Sequence, residues 1–284
     1  MKLKNTKLPI IEMFTSIQGE GIYTGVPSLF VRVSGCNLRC VFGNSRCDTP
    51  YSSFEAEKPI CDNVNDATKK IADIFRRNPQ IKHLVITGGE PMLYANAIKE
   101  LISNVDAELN NYSIIITIET NGTLPAFGTW SKSELDYDYV IDLWSISPKL
   151  STSVDYDNKY LTTEQRYMHD KTRINIKNLA SYVKTVLNFD IDEYEDNIPP
   201  QFQFKFVYTN EDSVKEIKTL LREIEKEVDL EEGYLNNYVL LMPEGVNNEQ
   251  LDNISQECVE VCMREGWRFC DRLHIRVWGD KRGV

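Results

Sequence analysis

The sequence predicts an α/β fold built on a mostly parallel sheet, closed or partly closed into a barrel. Short β-branched or aromatic runs recur along the chain, and helix-period segments lie between most of them. Strands alternating with helices are joined by βαβ crossovers, which make neighbouring strands parallel. Polar clusters also follow several of the runs, at the strand ends where such folds gather their chemistry.

Taken in order, Ile10-Ile11-Glu12-Met13-Phe14 reads as an added N-terminal edge strand. Strands are expected at 29–33, 84–87, 114–120, 139–146, 202–208, 238–242 and 273–277, with helices at 64–77, 94–109, 176–188, 213–228 and 249–265. The helix at 213–228 carries Val214, Ile217, Leu220, Leu221, Ile224 and Val228 at spacings of three and four, one apolar stripe. The polar and aromatic stretch 151–173 reads as a long surface insertion, and 190–200 as a second, acidic one. Neither marks a domain boundary. With no repeat, low-complexity tract or linker, 1–284 is expected to be a single domain.

Composition narrows the function. The 284 residues carry 32 Lys+Arg against 43 Asp+Glu, a net charge of −11, which argues against nucleic acid as the main partner. No run approaches the ~18 apolar residues of a membrane span. The opening Met-Lys-Leu-Lys-Asn-Thr-Lys has no apolar h-region behind it, so no signal peptide is expected. A cytoplasmic protein follows, in which the seven cysteines read as thiols or metal ligands before disulfides.

Three of those cysteines cluster. Gly35-Cys36-Asn37-Leu38-Arg39-Cys40 and Cys47-Asp48-Thr49 occupy the loop after the strand at 29–33. A structural zinc site would want a fourth ligand, and neither Cys61 nor a nearby histidine is evidently placed for it. A four-iron cluster on three thiolates keeps one iron open for a ligand. Three unrelated thiols are the bland alternative. Cys258 and Cys262 sit four apart on one helix beside Ile254, Val259 and Val261, as core residues would. Cys61 and Cys270 have no partner pattern.

Further polar groups lie at later strand ends. They are Gly88-Gly89-Glu90-Pro91, Glu119-Thr120-Asn121-Gly122, Ser147-Pro148-Lys149 and Met242-Pro243-Glu244-Gly245. Each is weak alone. Together with the thiol loop, on one rim, they compose a site.

Cys-x3-Cys with a third cysteine after the first strand, then Gly-Gly-Glu-Pro after the second, resembles the radical S-adenosylmethionine (SAM) superfamily. Within it, the chain is similar to the 7-carboxy-7-deazaguanine synthase family, in the same order from Phe14 to the last residue. The segments that carry this are Phe14-Thr15-Ser16-Ile17-Gln18-Gly19-Glu20-Gly21, Val31-Arg32-Val33-Ser34-Gly35-Cys36-Asn37-Leu38, Cys47-Asp48-Thr49, Glu119-Thr120-Asn121-Gly122, Ser147-Pro148-Lys149 and Leu273-His274 to Gly283-Val284. The fold implied is a partial TIM-type βα barrel of the radical SAM kind, with an added N-terminal strand. One departure is visible. Six residues separate Cys40 from Cys47 where the family pattern has two, and Arg46 stands where an aromatic is usual, leaving Phe42 to pack near the SAM adenine.

The resemblance implies roles. Cys36, Cys40 and Cys47 would ligate a [4Fe–4S] cluster whose open iron is chelated by SAM. Gly88, Gly89 and Glu90 would lie near the SAM amino end, with Ser147, Pro148, Lys149, Met242, Pro243, Glu244 and Gly245 along the rest. Glu119 and Asn121 would reach its ribose. One electron into the cluster would cleave SAM to a 5′-deoxyadenosyl radical. The implied substrate is 6-carboxy-5,6,7,8-tetrahydropterin, converted to 7-carboxy-7-deazaguanine with loss of ammonia, a lyase reaction in 7-deazaguanine (queuosine-type) biosynthesis. Ile17, Gln18, Gly19 and Glu20 would meet the pterin edge, and Arg32 its carboxylate in a bidentate grip. Thr87, His274 and the carboxylate of Val284 would complete the pocket, and Thr49 would help hold Mg²⁺. A flavodoxin or ferredoxin as electron donor and a homodimer are also implied.

Blander readings stand beside these. Thr49 before Pro50 suits a turn, and Arg32 could pair with a helix acid. A different radical SAM enzyme, such as a glycyl-radical activase, would need a protein-docking surface but not Gln18, Glu20 or Thr49. A zinc-stapled binding protein would catalyse nothing and be colourless.

Overall fold

The computed structural model describes residues 6–42, 45–110, 113–127, 141–154, 157, 159–188 and 200–284. Its strands are β1 (Lys7–Ile17), β2 (Pro27–Val33), β3 (Val41–Phe42), β4 (Ser45–Arg46), β5 (Cys61–Asn63), β6 (His83–Gly88), β7 (Ile115–Thr120), β8 (Leu143–Ile146), β9 (Gln201–Tyr208), β10 (Val239–Pro243) and β11 (Arg268–Phe269). The helices are α1 (Pro50–Ser53), α2 (Val64–Arg77), α3 (Ala95–Leu109), α4 (Thr163–Thr172), α5 (Ile176–Leu187), α6 (Glu211–Val228), α7 (Asn248–Glu265) and α8 (Leu273–Trp278).

All the strands except the β3–β4 hairpin form one sheet, in the order β11-β10-β9-β8-β7-β6-β2-β1-β5. From β2 to β11 every neighbouring pair is parallel, and β1 pairs antiparallel with both β2 and β5. Successive strands lie side by side and the two ends do not meet. This is the expected partial βα barrel. Its central strands read as continuous apolar runs, because helices cover one face while the other faces the barrel interior. The stripe on α6 is buried from Val214 to Ile224, with Val228 half-buried, and Asn210 caps that helix by accepting from the Asp212 and Ser213 N–H groups.

Several expectations change. The segment at 10–14 is a strand but not an edge, since β5 covers its outer side. The run 273–277 is helical. Leu273, Ile275 and Val277 alternate like a strand, yet β11 already occupies the flank of β10, and only Ile275 of the three is fully buried. Arg276 instead pairs with Asp271, five residues earlier, at 3.0 Å. The stretch 151–173 is more than a surface insertion. It contains α4 under a Thr162–Gln165 capping box, and it buries Ser153, Val154, Leu161 and His169. The first residues of the run 139–146, and all but the end of 190–200, lie outside the described residues.

Beneath the site, His83 ties three strands together. Its Nδ1 meets Ser28 Oγ and its Nε2 meets Thr117 Oγ1, each at 2.8 Å. The Ser28 hydroxyl is donated to the Val26 carbonyl, so Nδ1–H is the donor to Ser28 and Nε2 accepts from Thr117. Burial pushes His83 down to about 4. Above pH 6.5 the ring is neutral in folded and unfolded chains alike, and it costs nothing. As pH falls toward 4 only the unfolded chain takes up the proton, so stability is lost across that window. His83→Gln should remove this component. Urea unfolding at pH 7.5 and 4.5 should show the wild type losing about 2–3 kcal/mol more than the variant between those pH values.

Candidate functional site

A cavity of about 1,070 Å³ opens at the carboxyl ends of the parallel strands. Cys36, Cys40 and Cys47 line one part of it, and Gln18, Glu20, Arg32, Thr87 and His274 another. Ile17, Gly19, Thr49, Gly88, Gly89, Glu119, Asn121, Ser147, Lys149, Met242, Pro243, Glu244, Gly245 and Val284 complete its predicted lining, and Phe42 also reaches it. Only Glu90 and Pro148, of the residues predicted for the site, are absent from the wall.

The thiol loop is seated by backbone contact. A Cβ on Gly89 would lie 2.0 Å from the Gly35 carbonyl oxygen and 3.0 Å from Cys36 Cβ. The Gly89 N–H donates to the Val33 carbonyl at 3.2 Å and the Glu90 N–H to the Gly35 carbonyl at 2.8 Å. Glycines are therefore needed there to seat the loop, whatever ligand approaches them.

Glu90 lies just behind the wall. Its carboxylate is fully buried and accepts from the Asn121 N–H at 2.7 Å, Thr120 Oγ1 at 2.7 Å and the Met92 N–H at 2.9 Å. It pins the end of β7 to the start of the next helix. Asn121, held this way, donates to Asn37 Oδ1 at 3.1 Å and so braces the thiol loop from the far side.

Burial pushes all three thiols up, Cys36 to about 11, with Lys149 the cation that counters this at each sulfur. Lys149 is itself anchored on Ser147 Oγ at 2.8 Å. Among the described residues no three His, Cys, Asp or Glu side chains converge closely enough for a single metal ion. An iron–sulfur cluster is wider than one ion and takes thiolates spread around it, so three soft donors on one loop and one cavity wall fit it.

The other end of the cavity is polar and tightly connected. Glu119 accepts from Thr87 Oγ1 at 2.8 Å and from Gln18 Nε2 at 3.2 Å, while Gln18 Oε1 accepts from the Glu20 N–H. Glu20 lies 2.5 Å from Lys205 and 3.0 Å from Arg272, with His274 at 3.9 Å. Burial alone would raise its carboxyl, but these cations outweigh it and hold Glu20 well below the ordinary range. Arg272 also reaches Asp48 at 2.7 Å and the Gly245 carbonyl at 2.7 Å. Arg32 pairs with Glu12 of the adjacent strand through Nε at 2.9 Å. The Thr49 side chain does not cap α1 and sits 3.4 Å from Cys47 Sγ.

Sequence reading missed Lys205, Arg272 and Tyr51. Arg272 stands two residues before His274, and Lys205 points inward from a strand already predicted, so only their position in the fold marks them.

A Radical SAM superfamily model matches residues 30–155. The chain is 36% identical to the 7-carboxy-7-deazaguanine synthase of Halobacterium salinarum over 279 residues, which is 96% of this chain and 91% of that one. It is 32% identical to the 7-carboxy-7-deazaguanine synthase of Rhodopirellula baltica, over 100% of this chain and 91% of that protein. The chain belongs to the 7-carboxy-7-deazaguanine synthase family. Its fold also matches the crystal structure of QueE from Escherichia coli, with a TM-score of 0.53 and 21% identity over 94% of this chain and 95% of the other. As a radical SAM enzyme, the family member uses a [4Fe–4S] cluster and SAM.

Replacing Cys36, Cys40 or Cys47 by Ala should abolish the cluster's visible absorbance after anaerobic reconstitution. Cys258→Ala should leave it nearly intact, since Cys258 is on the buried face of α7, in the core. Loss of the absorbance in Cys258→Ala with retention in Cys47→Ala would reverse the assignment.

Proposed function

We propose that the chain converts 6-carboxy-5,6,7,8-tetrahydropterin to 7-carboxy-7-deazaguanine with release of ammonia, as a carbon–nitrogen lyase. One observation carries the reading: the three-thiol loop and a polar end bearing Arg32, Gln18 and Thr87 line the same cavity. A volume of about 1,070 Å³ is room for two small molecules side by side.

In this reading Cys36, Cys40 and Cys47 hold the cluster. When bound, the cluster and SAM supply the one-electron chemistry that takes a hydrogen atom from the substrate. The protein does the rest. Gly88 and Gly89 bring backbone up to the amino end of SAM, and Ser147, Lys149, Met242, Pro243, Glu244 and Gly245 flank its length. Pro148 fixes the backbone between Ser147 and Lys149. Asn121 and Glu119 meet the ribose, with Phe42 against the adenine. Gln18 and Glu20, with the backbone of Ile17 and Gly19, meet the pterin edge. Because Glu20 stays ionised, it remains an acceptor for the pterin N–H groups across the working pH range. Arg32 offers its terminal nitrogens to the substrate carboxylate, and Thr87, His274 and Val284 close the pocket. Walls on all these sides keep water from the reacting hydrogen.

Thr49 is assigned to Mg²⁺ together with the substrate carboxylate and water, a ligand set this ion favours. What supports it is a hydroxyl facing the cavity that its helix does not use for capping. The reading also includes one radical SAM domain over 1–284, a homodimer, a cytoplasmic setting, and reduction by a flavodoxin or ferredoxin. No helix among the described residues is long and apolar enough to cross a membrane.

Anaerobically reconstituted protein given SAM, reductant and the carboxytetrahydropterin should form 7-carboxy-7-deazaguanine. SAM cleavage without that product would point to another radical SAM reaction. Activity should rise with Mg²⁺ and fall with a chelator. Thr49→Ala should raise the Mg²⁺ requirement by about tenfold, while Thr49→Ser, which keeps the oxygen, should be mild. An unaltered titration in Thr49→Ala would remove Thr49 from the site.

A further inference from the structure

Glu12 on β1 is shared between two arginines. Its Oε2 accepts from Arg32 Nε at 2.9 Å and its Oε1 from Arg282 Nε at 2.7 Å. Both guanidinium groups lie over the Tyr51 ring, Arg282 at 3.7 Å from the centroid and Arg32 at 5.8 Å. Arg282 also forks onto Glu57, each Nη 2.8 Å from a carboxylate oxygen. Residues 280–284 line the cavity beside Arg32 and Tyr51, and they follow Gly279, whose φ is +66°.

An arginine grips a carboxylate with two N–H groups side by side, either Nε with one Nη or the two Nη together. Arg282 occupies one oxygen of Glu12, which leaves Arg32 a single contact through Nε. Among the described residues no acceptor engages the two Nη atoms of Arg32, and Arg32 lines the cavity. Its end-on fork is therefore open to a ligand. Without Arg282, Glu12 would have a second oxygen for Arg32 and could draw the guanidinium into a side-on pair of its own.

We propose that Arg282 and Glu12 are positioning residues for recognition of the substrate carboxylate. By occupying half of Glu12, Arg282 keeps the terminal nitrogens of Arg32 facing the cavity, so the segment 280–284 sets the affinity of a carboxylate it need not touch. This rests on the reading of Arg32 given under Proposed function.

The test compares two ligands on reconstituted enzyme with SAM and Mg²⁺: the carboxytetrahydropterin and tetrahydropterin without the carboxylate. Arg282→Gln should weaken binding of the first about tenfold and leave the second unchanged. Arg282→Lys, gentler on the fold, should show a smaller loss in the same direction. Adding Glu12→Gln to Arg282→Gln should recover part of the loss, because an amide competes poorly for a guanidinium. A merely structural tether would give no such rescue. A wild-type preference for the carboxylated ligand that survives in both Arg282 variants, or a loss shared by both ligands, overturns the inference alone. A wild type without that preference overturns the reading of Arg32 and the inference with it.

Discussion

Backbone lies almost against backbone where the end of β6 meets the loop after β2. With the Gly35 carbonyl 2.0 Å from where a Gly89 side chain would begin, the two segments pack as closely as chains without side chains allow. The position of Cys36 follows from this contact, and the seat of the thiol loop follows from Cys36. Glu90 then carries the constraint across to β7 through a carboxylate that accepts three hydrogen bonds. Burying such a group is costly unless it is paired, and here every oxygen is used. The Gly-Gly-Glu sequence is in this sense a joint between three strands as much as a surface for a ligand.

The polar end of the cavity is built on a different principle. Glu20, Lys205, Arg272 and Asp48 come from four separate segments and form a continuous array of alternating charge. Lys205 and Arg272 are buried and Glu20 nearly so, ions that would be expensive to bury alone, and removing one leaves its neighbours uncompensated. Arg272 is the shared member, because it also reaches the Gly245 carbonyl. Segments that sequence inspection treats as separate motifs are thus held in one arrangement by a residue belonging to none of them.

The alternation of strands and helices was legible because each period is local, and so was the rim that carries the site. The thiol loop and Gln18, Arg32 and Thr87 were legible as short motifs. Two kinds of feature were not. The run 273–277 has the alternation of a strand, but its structure is decided by which sheet edge is free, a fact held far away in β11. The bonds of Glu90 depend on direction: an acid after two glycines does not say in sequence that its carboxylate will brace the end of β7. Lys205 and Arg272 carried no motif because their partners lie 185 and 252 residues from them in the chain. His169 was lost among polar neighbours, although its ring accepts from the Arg39 N–H inside the thiol loop at 3.0 Å.

The Arg282–Glu12 pair spans 270 residues of chain, and Arg272 joins Glu20 and Asp48 over nearly as long a reach. During synthesis the cysteine loop leaves the ribosome well before Arg272 and residues 280–284, which form part of its cavity wall. Contacts of such separation form late, after the loop-closure entropy between them has been overcome. The three thiols are therefore made before part of the wall around them. For an oxygen-sensitive, metal-hungry loop this creates an interval of exposure, in which oxidation and wrong metals compete with the intended cluster. Closing the wall around the thiols is thus a matter of long-range assembly as well as of local sequence.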